Sequence, residues 1–131
     1  MTAQGEQTDE KPLEWMGSSY GDLVAMSEDV QDEIGYALDL AQNGGKAAYC
    51  KPMHGGDLGN VMEIVVNSDN RTYRGAYTTK FADVVYVLDV FVKKSKTGKE
   101  TPKRDEDRIR SRYQQAKEHY EENYGSKRGT R

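Results

Sequence analysis

Two short stretches hold the residue types that could do chemistry: Arg71-Thr72-Tyr73-Arg74-Gly75-Ala76-Tyr77, and the run from Tyr86 to Lys94. In an extended chain, side chains alternate between faces. Arg71, Tyr73, Gly75 and Tyr77 then share one face, opposite Thr72, Arg74 and Ala76. In the second stretch Tyr86, Leu88, Val90, Val92 and Lys94 share a face, opposite Val87, Asp89, Phe91 and Lys93. As neighbouring strands, the two stretches present an arginine and a lysine on one surface with tyrosine nearby. Such a group suits a phosphodiester. Guanidinium and ammonium bind the phosphate and stabilise its transition-state charge, while tyrosine can stack on a base or move a proton. Cross-strand packing with solvated strand-end cations accounts for the same pattern, and the pattern alone favours that plainer reading. Lys93 and Lys94 also lead directly into Lys96, Lys99, Lys103 and Arg104, a crowd of like charges that needs either full solvation or an anion.

Other chemistries find less support. Cys50 and His54 sit four apart, but one cysteine and two histidines cannot make a usual structural zinc set, so no metal is expected. The glycine-rich segment 44–56 lacks a Walker loop, because Ala47 follows Lys46 and a helix precedes it. Neither His54 nor His119 sits in a context suited to a nucleophilic triad. No cofactor is implied, and acid–base work falls to Tyr, Lys, Arg or a carboxylate.

The elements that must position these residues are marked by periodicity and turn chemistry. Leu13–Met16 reads as a short strand, and Ser18 or Ser19 starts a short helix. Ser27 is a plausible N-cap for a longer helix whose Val30, Ile34, Ala37, Leu38 and Ala41 recur at helical spacing. Asn43-Gly44-Gly45 ends it, and residues 46–60 read as loop. Three strands follow, 61–67, 71–79 and 83–93, whose tight connections predict an antiparallel meander. From Pro102 to about Tyr124 runs a polar helix with one narrow apolar stripe, and Tyr113, Tyr120 and Tyr124 are expected to pack on the chain's own sheet. The order predicts an α+β domain over residues 11–125, with helices on one face of a small antiparallel sheet and polar tails at 1–10 and 126–131.

The 131 residues suffice for one such domain. The net charge of −3 conceals an asymmetry: ten acidic residues against Lys11 from Glu6 to Asp39, and thirteen Lys and Arg against seven Asp and Glu from Lys93 onward. A basic half of this kind hints at a polyanion, although a mixed-charge helix is usually just solvated. No apolar run approaches bilayer length, the start MTAQGEQTDEKP lacks signal-peptide character, and a single cysteine suits a reducing compartment. The expectation is a soluble cytoplasmic protein without a membrane partner.

Leu13-Glu14-Trp15-Met16-Gly17-Ser18-Ser19, then Ile34-Gly35-Tyr36-Ala37-Leu38, Ala41-Gln42-Asn43-Gly44, Lys51-Pro52-Met53-His54-Gly55, Tyr73-Arg74-Gly75-Ala76-Tyr77 and Val87 to Ser95 form an ordered set. This set resembles the phage-derived HigB-like branch of the RelE/ParE toxin superfamily, over roughly residues 11–120. The resemblance implies a RelE-like fold and a type II toxin that cleaves mRNA, commonly on the ribosome, without metal. Its chemistry would be attack of the 2′-hydroxyl on the adjacent phosphate. Its partner would be a helix-turn-helix antitoxin. The resemblance makes Arg74, Lys93 and Lys94 the catalytic group, with Arg71, Tyr73, Tyr77, Lys51 and Lys96 as further RNA contacts.

Two positions depart from the pattern. Relatives usually read Glu-Leu-Arg where this chain has Glu63-Ile64-Val65, and often Leu-His-Ala-Phe where it has Leu88-Asp89-Val90-Phe91. A cation and a histidine are lost, and Asp89 would repel RNA unless paired with a lysine. The resemblance therefore leaves two alternatives to the nuclease: a degenerate toxin that retains only its antitoxin-binding surface, or a ParE-like protein that binds DNA gyrase.

Overall fold

A computed structural model describes residues 10–54, 56–93 and 101–125. The expected tails, apart from residue 10, and two of the expected site residues, Lys94 and Lys96, lie outside them. In chain order the elements are β1 (Leu13–Trp15), α1 (Ser19–Val24), α2 (Glu28–Gln42), β2 (Cys50–Pro52), β3 (Val61–Ser68), β4 (Arg71–Thr78), β5 (Val85–Lys93) and α3 (Lys103–Tyr120). One further turn, Glu121–Gly125, extends α3. The five strands form one sheet in the order β1-β5-β4-β3-β2.

The α+β class and the β3–β4–β5 meander are as the sequence indicates. The β3–β4 turn is two residues long, and Asp69 and Asn70 both have positive φ (53° and 61°). These are the angles of a type I′ hairpin, which Asn and Asp tolerate better than most residues. Residues 46–60 are not all loop: Cys50–Pro52 pairs antiparallel with β3 as an edge strand. β1 pairs parallel to β5, so the sheet is mixed. Three residues with a proline are too short to mark β2 by a period, and Leu13–Trp15, although legible as a strand, carries no signal of which strand it pairs with or in which sense.

The helices cover both faces, which corrects the one-face expectation. Val30, Ile34, Ala37, Leu38 and Ala41 of α2 bury against Ile64, Val66, Tyr77, Val87 and Val90. Ser27 sits at the helix start with extended backbone, and Gly44 (φ +88°) follows its end, a conformation that glycine adopts without a Cβ penalty. On the opposite face, Ile109 and Ala116 of α3 pack on Val61, Ala76, Tyr86 and Leu88, with Phe81 and Tyr113, Tyr120 and Tyr124 around them. The tyrosines therefore pack on the chain's own sheet, Tyr120 lying 5.0 Å from Phe81 and 5.3 Å from Tyr124 between ring centres. Each buried aliphatic side chain contributes roughly 1.5–3 kcal/mol. The acidic helices α1 and α2 thus lie on one side of the sheet and α3 on the other.

Candidate functional site

β1 pairs only with Val85–Val87, so β5 runs on past it with one edge uncovered among the described residues. Asp89, Val90, Phe91 and Val92 form the floor of an open cleft of about 960 Å³. Ser18, Asp22 and the α1–α2 junction Ala25–Ser27 make one wall. Pro102, Arg104, Asp105, Arg108 and Arg112 at the start of α3 make the other, and Arg71 and Tyr73 of β4 close one end.

A bulge in β5 sets what faces this cleft. Ala76 pairs with Asp89 and Tyr77 with Val87, so Leu88 is an extra residue in the ladder. A strict alternation cannot survive an inserted residue. Val87 and Val90 pack toward α2, whereas Tyr86, Leu88 and Phe91 pack toward α3. The expected grouping of Tyr86 and Leu88 with Val90 is therefore wrong. β4 alternates as read, with Tyr73 and Tyr77 toward α2 and Ala76 toward α3.

Beside the bulge, Asp89 is 1% exposed and organises a polar cluster. Its Oδ2 accepts from Arg108 Nε at 2.8 Å. Its Oδ1 accepts from Arg112 Nη1 at 3.1 Å and from the Val90 amide at 3.0 Å. Arg112 Nη1 also donates to the Leu88 carbonyl at 3.0 Å, so it caps the strand edge just past β1. Arg108 Nη2 donates to Asp105, and the guanidinium lies over the Phe91 ring at 5.7 Å. Burial pushes the Asp89 carboxyl up from its ordinary value, against the lowering effect of the Arg108 hydrogen bond and the two arginine charges. Desolvation acts to lower the Arg108 value, and hydrogen bonds to Asp89 and Asp105 reverse it, leaving the guanidinium firmly protonated. The carboxylate expected to need a lysine is paired instead with two arginines of α3.

Of the expected site residues, Arg71 and Tyr73 line the cleft. Arg74 and Lys93 do share the α3-facing side, flanking Phe91 and Thr72 in register, but both are buried, at 4% and 5% exposure. Arg74 Nη1 sits 2.6 Å from Glu63 Oε2, and Thr101 donates to the same oxygen, tying the segment before α3 to β3. Tyr77 is buried beneath α2 on the other face, where burial above all raises its phenol and Cys50 is a neighbour. Lys51 is exposed on β2, at the opposite edge of the sheet. Sequence reasoning missed Arg104, Arg108 and Arg112. Their four-residue spacing was a readable signal, since it sets all three on one side of a helix. Among the described residues no three His, Cys, Asp or Glu side chains gather as a metal set, and no described helix is long and apolar enough to cross a membrane.

Residues 21–114 match the family model described as phage derived protein Gp49-like (DUF891). The chain belongs to this Gp49-like family. The family is toxin-like in general, and the match takes in α2, the meander, the bulge and the first two-thirds of α3, hence both walls of the cleft apart from Ser18. The Gp49-like match thus supports the broad resemblance read from the sequence. No curated protein matches the chain.

Proposed function

We propose that this Gp49-like protein is the toxin of a toxin–antitoxin pair and that it acts on mRNA in the cleft beside β5. One observation carries this reading: Arg71, Arg104 and Arg108 converge with Tyr73 and Phe91 on one open cleft of about 960 Å³. Guanidinium groups grip phosphates, and aromatic rings beside them receive unstacked bases, which is how single-stranded RNA is commonly held. The reaction is attack of a 2′-hydroxyl on its own 3′-phosphate, which leaves a cyclic phosphate and a free 5′-hydroxyl. It needs geometry and charge stabilisation more than a covalent nucleophile. Arg71 and Arg104 are exposed and can close on the phosphate, while Tyr73 is placed to stack or to carry a proton. In this reading Arg74 serves the site indirectly, by anchoring Glu63 and Thr101 beneath the start of α3. The partner is a helix-turn-helix antitoxin, and the substrate is mRNA on the ribosome.

A second reading, a toxin-like protein that acts by binding alone, draws on the same cluster. Arg74, Arg108 and Arg112 each face a carboxylate within the protein, so part of the positive charge is consumed internally. Growth after induction, with primer extension on cellular mRNA, separates the readings. The comparison is an Arg71→Ala/Arg104→Ala variant, whose exposed positions leave the fold intact. Arrest with discrete new 5′ ends, both lost in the variant, supports the nuclease. Arrest without cleavage points to a bound target such as gyrase, and neither effect from folded protein rejects the toxin.

A further inference from the structure

The described lining of the cleft carries four arginines (Arg71, Arg104, Arg108, Arg112) and three aspartates (Asp22, Asp89, Asp105), a net charge of only +1. A balance this close gives little general attraction for an anion. Any phosphate held here must be held by directed N–H groups, and their direction must be fixed. Arg108 and Arg112 both have a fixed direction, and Arg108 is the more exposed of the two, at 34% against 14%. Its Nε–H goes to Asp89, Nη2 lies 2.8 Å from Asp89 Oδ2 and donates to Asp105, and its plane rests on Phe91. A guanidinium has five N–H donors. Those three interactions leave both hydrogens of Nη1 without a protein acceptor among the described residues. The side chain is 34% exposed, and it lines the cleft.

Asp89 is built in from behind. Its carboxylate is 2% exposed, one oxygen serves Arg108, and the other serves Arg112 and the Val90 amide. Arg112 in turn lies against Gly17, where a Cβ would come within 2.5 Å of Nε. Both oxygens of Asp89 are engaged within the protein, and Asp89 supplies two of the three polar contacts that hold Arg108.

We infer that Asp89 is a positioning residue, which sets the Arg108 guanidinium so that its Nη1 donors meet a phosphoryl oxygen in the cleft. The inference rests on the cleft being a phosphate-ester site and goes beyond it by assigning the donor and what aims it. It also gives the unusual carboxylate a part in binding an anion that it would otherwise repel. Preorganised donors lose less freedom when the ligand arrives, so they contribute more than the same charge on a loose side chain.

The test compares wild type, Asp89→Asn, Arg108→Lys and the double variant for binding of two ligands. One is inorganic pyrophosphate; the other is a short single-stranded RNA with 2′-O-methyl riboses, which cannot be cleaved. Each single variant is expected to bind about tenfold more weakly, the effect of one charge-assisted hydrogen bond. The double variant should be no weaker than Arg108→Lys, because Asp89 acts through that arginine. Asp89→Asn also removes a negative charge, so a carboxylate that merely repelled the ligand would give tighter binding; that result overturns the inference. Arg108→Lys preserves the charge and leaves Asp89 paired with Arg112. It therefore decides alone if Asp89→Asn fails to fold, and wild-type affinity in it also overturns the inference. RNA cleavage by wild type with unaltered binding in the variants sinks this assignment and spares the toxin reading. Pyrophosphate binding that depends on Arg108, without mRNA cleavage, upholds the assignment and rejects the nuclease. Binding of neither ligand rejects the assignment.

Discussion

Arg74→Ala is the substitution that a search for catalytic residues would make first, and the structure predicts that its main effect will be to destabilise the fold. The side chains of Arg74 and Glu63 are 5% and 7% exposed and meet at 2.6 Å. Removing the guanidinium leaves Glu63 buried with the Thr101 hydroxyl, a neutral donor, in place of a cation. Breaking a buried ion pair on one side costs roughly 3–5 kcal/mol, out of a typical total of about 5–15 kcal/mol. For a domain of this size each kcal/mol moves Tm by about 4 °C, so a fall of roughly 10–20 °C is expected. Differential scanning calorimetry of purified protein reads it directly. Replacing both partners, as Glu63→Leu/Arg74→Met, should restore most of the loss, because two apolar groups need no desolvation of charge. An Arg74→Ala protein that melts within about 2 °C of wild type would refute the reasoning. It would mean that the pair opens in solution, and loss of toxicity in that variant would then speak for a direct role of Arg74.

Two further outcomes follow from local geometry. Gly17→Ala should lower stability by roughly 1–2 kcal/mol, since the position has φ +55° and its new Cβ would press on Arg112 Nε; urea midpoints check this, and an unchanged midpoint would mean that Arg112 yields freely. Tyr49 is pushed up to about 12 by burial and by Glu33, while burial chiefly raises Tyr77, Tyr86 and Tyr124 as well. A raised phenol favours the neutral form in the fold, so its stabilisation is complete below the unfolded value of about 10 and is lost as pH climbs through the folded value. Urea midpoints should therefore hold steady up to about pH 9 and fall between about 10 and 12, with the tyrosinate absorbance of these four of the nine tyrosines withheld until the protein unfolds. Ionisation of all nine tyrosines in folded protein would contradict the burial of these rings.

Much of the fold is legible because each long element carries its own period. The apolar spacing of α2, the alternation of β4 and the Asp69-Asn70 turn each have a local cause that can be read one residue at a time. β2 and the parallel pairing of β1 are different. Three residues cannot show a period, and Pro52 counts against a strand except at an edge, which is where it lies. The placement of α3 on the second face is equally hidden, because its narrow stripe says that it docks and not on which side. Only the burial of Tyr86, Leu88 and Ala76 on the face away from α2 requires a second cover.

The site was half legible for one physical reason, the bulge at Leu88. Alternation allows an arginine and a lysine of neighbouring strands to share a face, as Arg74 and Lys93 do, but depth is invisible to alternation, and both are buried. The cations that reach the cleft come from α3 and meet β5 where the inserted residue breaks the ladder. Without the bulge, Val90 and Val92 would exchange faces with Phe91, and Asp89 would stand in regular register. With it, Asp89 reaches both Arg108 and Arg112 while the Leu88 carbonyl accepts from Arg112. An aspartate that reads in sequence as a lost histidine and an added repulsion becomes, in the fold, the group around which two arginines are arranged. The departure from the family pattern and the arginine spacing of α3 are thus a single feature, and one cannot be judged without the other.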